Sequence, residues 1–289
     1  MSRHRRLVRA GTGAVLAVLV LITCSAALDD SAPDGDPSGA SLDALDPAPS
    51  GGSIRQAGFG TLPPGASLPG DERCAATVSA ATETVPANIP FNEVAGTQRL
   101  PSDFFAPDSG DPRANTVIAA RVTGAYTGTT RQILQWAACK WGIDERFVRA
   151  QADVESGWRQ TRVGDWSDDP AHCAPGHGPG KDGLDGQCPE SFGILQVRYQ
   201  YYAGAFPAAI ASTAFNVDAA YAVWRACYEG YETWLAETAP PDHPYRAGDA
   251  WGCIGRWYSG QWYDSSAEEY ISAVRDVLAH GRAAGSPIH

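Results

Sequence analysis

The sequence lacks an excess of positive charge and a membrane-length apolar run, and both absences exclude classes of protein. It has 22 Lys and Arg residues against 33 Asp and Glu residues, and its formal net charge is −11. Nucleic-acid binding depends on a basic surface that neutralises phosphates, so we expect no nucleic-acid partner. The apolar run at residues 14–22 is shorter than the roughly 20 residues that span a bilayer. We therefore interpret it as part of an export signal.

The order of residues at the N-terminus is typical of such a signal. Four arginines precede the apolar run, and the small residues 25–27 follow it. Residues 1–27 are therefore predicted to be a signal peptide. The sequence Leu-Ile-Thr-Cys, which ends at Cys24, also resembles a lipobox, so membrane attachment through a lipidated Cys24 is the alternative to simple secretion. Either route predicts a secreted or cell-envelope protein.

The sequence also lacks closely spaced cysteine pairs of the kind found in common zinc sites. Setting Cys24 aside leaves six of the seven cysteines, an even number that indicates three disulfides in an oxidising compartment. Cys173 and Cys188 flank a Gly-, Pro- and Asp-rich loop and are predicted to pair. The partners of the other four stay open: Cys74, Cys139, Cys227 and Cys253. Zinc at His172, Cys173 and His177 is the weaker alternative, and we predict no metal and no cofactor.

Composition divides the rest of the chain into three segments. Residues 28–70 are mostly Ser, Gly, Pro, Asp and Ala, and they are predicted to form a disordered linker. Residues 71–128 contain scattered apolar side chains and many prolines, which we interpret as an extension packed on the main domain. Residues 129–282 have helical periodicity with long loops. The predicted fold class is therefore mainly α, stapled by disulfides and preceded by a disordered linker.

Apolar spacing and capping residues predict the first two helices of the main domain. One begins at Thr129 or Thr130, and the next begins after Asp144 and ends at Glu155. Residues 157–189 are predicted to be loop, because Gly, Asp and Pro are dense there. A loop of that length is uncommon in a compact domain unless it serves function.

Two further helices follow this loop. One is predicted over residues 216–228, where apolar and aromatic side chains form a single stripe. The last helix is predicted to begin with a capping box that starts at Ser265 or Ser266. No internal repeat is visible, so we expect one domain that acts as a monomer.

Three motifs occur in a fixed order within the helical segment. They are Glu155-Ser156-Gly157-Trp158, then Ser-Phe-Gly-Ile-Leu-Gln at residues 191–196, then Glu269-Tyr270-Ile271. Together they resemble the Glu-Ser, Gly-Leu-Gln and terminal Tyr motifs of the soluble-type lytic transglycosylases. The resemblance covers about half of the chain, and it implies a lysozyme-like domain that binds peptidoglycan glycan strands. The family's Ala-Tyr-Asn-x-Gly motif is present only in part, as Trp-Tyr-Ser-Gly at residues 257–260.

The resemblance implies that Glu155 is both general acid and general base. It would protonate the oxygen of the bond between N-acetylmuramic acid and N-acetylglucosamine. It would then take a proton from the C6 hydroxyl of the muramic acid, which closes a 1,6-anhydro ring without water. At the edge of an apolar helix face its carboxyl group is expected to be desolvated, which raises the pKa above the usual ~4.3 and retains the proton that an acid needs.

The same resemblance implies five substrate-binding residues: Ser156, Gly193, Gln196, Tyr258 and Tyr270. Each also has a structural interpretation. Gln196 could be a buried amide that joins two segments, Ser156 could simply end its helix, and Tyr270 could belong to the core. The nearby aromatic rings could stack on sugars or on one another. They are Trp251, Trp257, Trp262 and Tyr263.

A second carboxylate facing the cleft would change the expected reaction. One carboxylate suffices for the anhydro route, whereas glycoside hydrolysis generally uses two. Asp165, Asp168 or Asp169 could position a water molecule, which makes a hydrolytic muramidase the first alternative. The second alternative is a peptidoglycan-binding protein that does not cleave. Serine-hydrolase chemistry has little support, because no serine lies in a Gly-x-Ser-x-Gly turn.

Overall fold

The structure, a computed structural model, describes residues 60–105 and 110–281. As predicted, this part of the chain is mainly helical. Its α-helices are α1 (Asp71–Ala75), α2 (Ile89–Asn92), α3 (Thr130–Trp141), α4 (Glu145–Ser156), α5 (Tyr199–Tyr202), α6 (Ala208–Ala211), α7 (Thr213–Tyr228), α8 (Leu235–Thr238), α9 (Ala250–Ser259) and α10 (Ser265–His280). The predicted signal peptide, Cys24 and most of the predicted linker lie outside the described residues.

A small antiparallel sheet lies between α4 and α5. Its strands are β1 (Val163–Ser167), β2 (Cys188–Phe192) and β3 (Val197–Arg198), in the order β1-β2-β3. Gly164 is opposite Ser191 in the β1–β2 pair, and Ser191 is opposite Arg198 in the β2–β3 pair. The prediction of loop for the whole of residues 157–189 is therefore wrong for β1 and for the first two residues of β2. A long excursion between the two strands contains only a short 3₁₀-helix, Pro170–His172.

The helices around the candidate catalytic residue begin and end where side-chain chemistry predicts. Thr129 caps α3 in a capping box with Gln132, and Asp144 caps α4 by accepting a hydrogen bond from the Arg146 N–H. Gly157 ends α4 with φ +61°, a conformation that favours glycine. Helix α4 thus extends one residue past Glu155, and the chain turns sharply just after the glutamate.

Helix α10 begins differently from the prediction. The capping residue is Asp264, whose carboxylate accepts a hydrogen bond of 2.8 Å from the Ala267 N–H. The predicted capping boxes at Ser265 and Ser266 are therefore wrong, because both serines already lie in the first helical turn. An aspartate is as effective a cap as a serine, and it is placed one residue earlier.

Helix α7 forms the centre of the core. All of its residues are buried, and it packs against α3, α6 and α9. Its Asp218 accepts hydrogen bonds from Lys140 and Trp141 of α3, each at 2.8 Å, and from the Gly124 N–H. A buried charge requires such partners, because an uncompensated one would be strongly destabilising. The segment before α3 is thereby joined to the centre of the domain.

Three disulfides join the described part of the chain. Cys173 pairs with Cys188, as predicted, and closes the excursion between β1 and β2. The pairs that the sequence left open are Cys74–Cys139, which ties α1 to α3, and Cys227–Cys253, which ties α7 to α9. Disulfides of this kind are typical of proteins outside the cytoplasm. Across residues 60–105 and 110–281, none of the helices has the length and hydrophobicity needed to cross a bilayer.

The predicted linker extends too far toward the C-terminus. Its last residues, from Gly60 to Gly70, pack on the domain and do not form a free segment. The Leu62 N–H donates to the Gly142 carbonyl at 2.8 Å, and Arg225 donates to the carbonyls of Leu62 and Pro63, each at 3.0 Å. The composition of this stretch, rich in small and polar residues, does not predict these contacts, because they are made mainly by its backbone.

Candidate active site

A cavity of about 1050 Å³ lies between the helices and the sheet. Its lining comes from the end of α4, from α9 and α10, from all three strands, and from Phe104 and Phe105 of the N-terminal extension. Four of the predicted site residues line it: Glu155, Gln196, Tyr258 and Tyr270. The fold therefore brings together residues that are more than a hundred positions apart in the sequence.

Glu155 is at the end of α4, partly exposed to the cavity but with its carboxyl group surrounded by protein. The pKa of this carboxyl is raised to about 8, mainly by burial and in smaller part by the negative charge of Asp165. Hydrogen bonds from Tyr270 and Trp257 act in the opposite direction, because they favour the charged form. Desolvation is the largest of these effects, so the carboxyl is protonated at neutral pH.

A chain of buried hydrogen bonds holds the tyrosine that contacts Glu155. The Tyr221 hydroxyl donates to Gln151 Oε1 at 3.1 Å, Gln151 hydrogen-bonds to Tyr270, and the Tyr270 hydroxyl donates to Glu155 Oε1. Burial and the nearby Glu155 raise the pKa of Tyr270 well above its usual range, so it stays a donor. Gln151 is one helical turn before Glu155, a position that the sequence analysis did not single out.

Asp165 projects from β1 into the same cavity. Its side chain is exposed, and its Oδ2 accepts a hydrogen bond from the Ser191 hydroxyl on the neighbouring strand. Its backbone has φ +50°, a left-handed conformation that is uncommon for residues other than glycine. Arg198 of β3 lines the cavity as well and interacts electrostatically with Asp165. A second carboxylate therefore faces the cavity that contains Glu155.

Gln196 joins two segments of the chain and also lines the cavity. Its amide Nε2 donates to the carbonyls of Arg162 and Gly193, at 3.2 and 2.8 Å, which ties the turn before β3 to β1. The residue also lines the cavity and has φ +51°. Its Oε1 would be 2.7 Å from a Cβ at Gly164, so the glycine leaves room for this amide.

Ser156 and Gly193 are buried and do not line the cavity, so the structure does not bring these two predicted substrate-binding residues to it. Ser156 is fully buried, donates to the Ile194 carbonyl at 2.8 Å, and accepts from the Arg159 N–H at 3.0 Å. It joins the end of α4 to the turn that carries Gln196. Gly193 is buried against α7, where an added Cβ would be 2.2 Å from Asn216 Nδ2. Both residues support, from inside the protein, the segments that carry Glu155 and Gln196.

Aromatic rings form one wall of the cavity. Trp257 stacks on Tyr202 with ring planes 6° apart, and Tyr202 stacks on Phe104. Tyr258 is 54% exposed and lies parallel to the Tyr270 ring at a centroid distance of 4.7 Å. Trp251, Trp262 and Tyr263 are not part of the cavity lining and pack on the core instead. Flat exposed rings of this kind suit the apolar faces of sugars.

The two other aspartates that the sequence offered as groups to position water, Asp168 and Asp169, do not line the cavity. Asp168 is exposed outside it, and Asp169 caps the short helix Pro170–His172. The zinc alternative is excluded by the disulfide of Cys173, which leaves no thiolate beside His172 and His177. In the described residues no cluster of three or more His, Cys, Asp or Glu side chains could hold a metal ion.

The chain matches no protein-family model, and no curated protein and no solved structure is similar to it at a significant level. The arrangement of side chains around the cavity is therefore the basis for assigning a function.

Proposed function

We propose that this protein cleaves the β-1,4 glycosidic bonds of peptidoglycan glycan strands, with Glu155 as the general acid. One observation carries the proposal: a carboxyl group with a pKa of about 8 lines a cavity of about 1050 Å³. Such a carboxyl retains its proton at neutral pH and can donate it to a leaving oxygen. The hydroxyl of Tyr270 stabilises the carboxylate that remains after the transfer.

The choice of substrate rests on the shape and chemistry of the cavity. Its lining offers the exposed Tyr258 ring, the Trp257 ring and the Gln196 amide. This combination of flat apolar faces with directional polar groups is what ring-shaped, hydroxyl-rich ligands require. The order of the Glu155, Gln196 and Tyr270 motifs resembles that of the lytic transglycosylases, which supports a lysozyme-like domain and a peptidoglycan strand.

The first step would be the same for either reaction route. Glu155 donates its proton to the glycosidic oxygen, the bond to C1 of the muramic acid breaks, and positive charge develops at C1. In the transglycosylase route that the motifs favour, the Glu155 carboxylate then takes the proton of the C6 hydroxyl, and an anhydro ring forms. Hydrolysis is the second candidate, because Asp165 faces the same cavity.

The compartment is consistent with this substrate. Three disulfides indicate an oxidising environment outside the cytoplasm, and peptidoglycan is assembled there. We propose export by the N-terminal signal, with lipid attachment at Cys24 as the alternative, and action as a monomer.

Digestion of purified peptidoglycan tests the proposal. Wild-type protein should release soluble muropeptides, and Glu155→Gln should lower the rate at least ~100-fold, because a positioned acid contributes about that much. Glu268→Gln serves as the matched control, since Glu268 is an exposed acid of α10 outside the cavity. Equal activity of Glu155→Gln and wild type would refute the role of Glu155. Protein that sediments with peptidoglycan but releases nothing would instead be a wall-binding protein.

A further inference from the structure

Two exposed aromatic rings line the cavity, and one of them, Tyr201, has no role in the reaction described above. Tyr201 is 62% exposed and Tyr258 is 54% exposed, which makes them the most exposed large hydrophobic side chains of the described residues. The remaining members of this class do not line the cavity. An exposed aromatic ring in a cavity wall is a typical ligand contact. Tyr201 is therefore a candidate for binding part of the substrate.

The ring of Tyr201 is supported by Arg198, whose guanidinium carbon is 5.3 Å from the ring centroid. Arg198 is the last residue of β3 and directly precedes α5, and its backbone pairs with Ser191 in the sheet. Its side chain forms an ion pair of 2.5 Å with Glu190, which is 3% exposed and hydrogen-bonds to His172 at 2.8 Å. The ring and the guanidinium are therefore held in place before a ligand binds.

The guanidinium of Arg198 retains a hydrogen-bond donor for a ligand. Its Nε and Nη2 are 2.6 and 2.5 Å from Glu190 Oε2, whereas Nη1 has no hydrogen-bond partner among the described residues. The side chain is 35% exposed and lines the cavity. Glu190 and the nearby Asp165 already balance its positive charge, so a carboxylate ligand would gain little there. An uncharged acceptor such as an amide carbonyl is better suited to this N–H.

We infer that Tyr201 and Arg198 form a subsite for a neutral N-acetylated sugar ring. The ring stacks on Tyr201, and its acetamido carbonyl accepts a hydrogen bond from Arg198 Nη1. The inference rests on the proposed function, which supplies a glycan strand as the ligand, and it adds the class of sugar bound on the sheet side of the cavity. Tyr258 lies on α9, so the two exposed rings contact different parts of one strand. The cavity of about 1050 Å³ is large enough for several sugar rings, because pockets for drug-sized ligands measure ~300–1,000 Å³.

Binding of the β-1,4-linked hexamer of N-acetylglucosamine tests the subsite without cleavage. The parent protein is Glu155→Gln, and calorimetry measures its affinity for the hexamer. Adding Tyr201→Ala should weaken binding ~10-fold, because a stacked ring is lost. Tyr201→Phe should stay within about 2-fold of the parent, since the ring remains. Leu184→Ala is the matched control, because Leu184 is also an exposed large apolar side chain but does not line the cavity.

Cellohexaose separates the contribution of the acetamido carbonyl from that of stacking. It has the same β-1,4 chain of rings without acetamido groups, so it should bind the parent at least ~5-fold more weakly than the hexamer. Arg198→Lys keeps a positive charge beside Glu190 but lacks the planar set of nitrogens, so it should reduce this difference. An unchanged difference in Arg198→Lys would overturn the hydrogen bond from Arg198.

The outcomes distinguish the subsite from the proposed reaction. Hexamer binding that is absent in the parent, or equally tight in the parent and Tyr201→Ala, would overturn the inference, even if wild-type protein cleaves peptidoglycan through Glu155. Binding that is weakened by Tyr201→Ala and retained by Tyr201→Phe would support the subsite, even if wild-type protein releases no muropeptides. Tyr201 is exposed, so these variants should fold like the parent, and thermal unfolding checks this.

Discussion

The cavity has a helical wall, formed by α4, α9 and α10, and a sheet wall, formed by the three strands. Each wall presents a carboxyl group, and the surroundings of the two groups are opposite in character. On the helical side, desolvation raises the pKa of Glu155 to about 8, and buried tyrosines hold the group in place. On the sheet side, Asp165 is exposed and is oriented by one serine hydroxyl. Packing therefore removes water from one carboxyl group and raises its pKa, whereas it leaves the other in contact with solvent.

The stability of the protein at high pH should show the difference most strongly. Because the pKa of Glu155 is higher in the folded chain than in the unfolded chain, its ionisation opposes folding as pH rises from about 4.5 to about 8. Glu155→Gln cannot ionise, so above pH 8 it should be more stable than wild type by roughly 4 kcal/mol, and equally stable below pH 4. Urea unfolding across this pH range measures the difference, with Glu268→Gln expected to follow wild type. A constant difference at all pH values would mean that burial does not perturb Glu155.

Substitution of two glycines by alanine distinguishes a position inside the fold, Gly193, from a position beside a cavity-lining side chain, Gly164. Gly193→Ala should cost about 3 kcal/mol, because its Cβ would be 2.2 Å from Asn216 Nδ2 and its φ is +84°. Gly164→Ala should cost less than about 1 kcal/mol, since its Cβ meets only the end of the Gln196 side chain. The Gly164 variant should instead slow cleavage by displacing that amide. Thermal unfolding and initial rates of both variants check this, and equal loss of stability would contradict the assignment.

Substitutions on the two walls should shift the pKa of Glu155 in opposite directions. Tyr270→Phe removes a hydrogen bond to the carboxylate and should raise this pKa, whereas Asp165→Asn removes a negative charge and should lower it. Titration of the Glu155 carboxyl carbon by NMR measures both. Shifts of the same sign would show that repacking, rather than these two contacts, controls the group.

The smallest effect concerns the start of the helix that carries Tyr270. Asp264→Ala should destabilise the protein by about 1 kcal/mol, because the first turn of α10 loses its cap. Ser265→Ala should change stability by less than about 0.5 kcal/mol, since that serine lies inside the helix and exposed. Urea unfolding of the two variants at one pH is sufficient. A larger loss for Ser265→Ala would favour the capping box that the sequence suggested.

The helices that carry Glu155 and Tyr270 were predictable from the sequence, whereas α9 and the sheet wall were not. Helices α3 and α4 have strong local signals, namely regular apolar spacing and capping residues at Thr129 and Asp144. Strands β1 and β2 are short and contain Gly, Asp, Pro, Glu and Ser, so their composition is that of a loop. Their pairing depends on contacts between residues about 25 positions apart, which no local pattern reveals.

The candidate site was predictable where a side chain has a distinctive chemical role. Glu155 and Tyr270 lie together, as the resemblance to the lytic transglycosylases implied, whereas spacing along the sequence did not bring them together. Ser156 and Gly193 were assigned to substrate because they belong to the motifs that carry the resemblance, yet both are buried in the protein. Gln151 had no signal of its own: a polar residue on an apolar helix face becomes informative only when its partners, Tyr221 and Tyr270, are known.

The anchoring of residues 62 and 63 determines how the domain would carry a mechanical load. Tension applied to the chain on the N-terminal side of the domain would reach Arg225 and the carbonyl of Gly142 first, and then the covalent bridge between Cys74 and Cys139. None of these groups lines the cavity. Glu155 and Tyr270 would therefore keep their relative positions while the molecule is held and pulled from its N-terminal side.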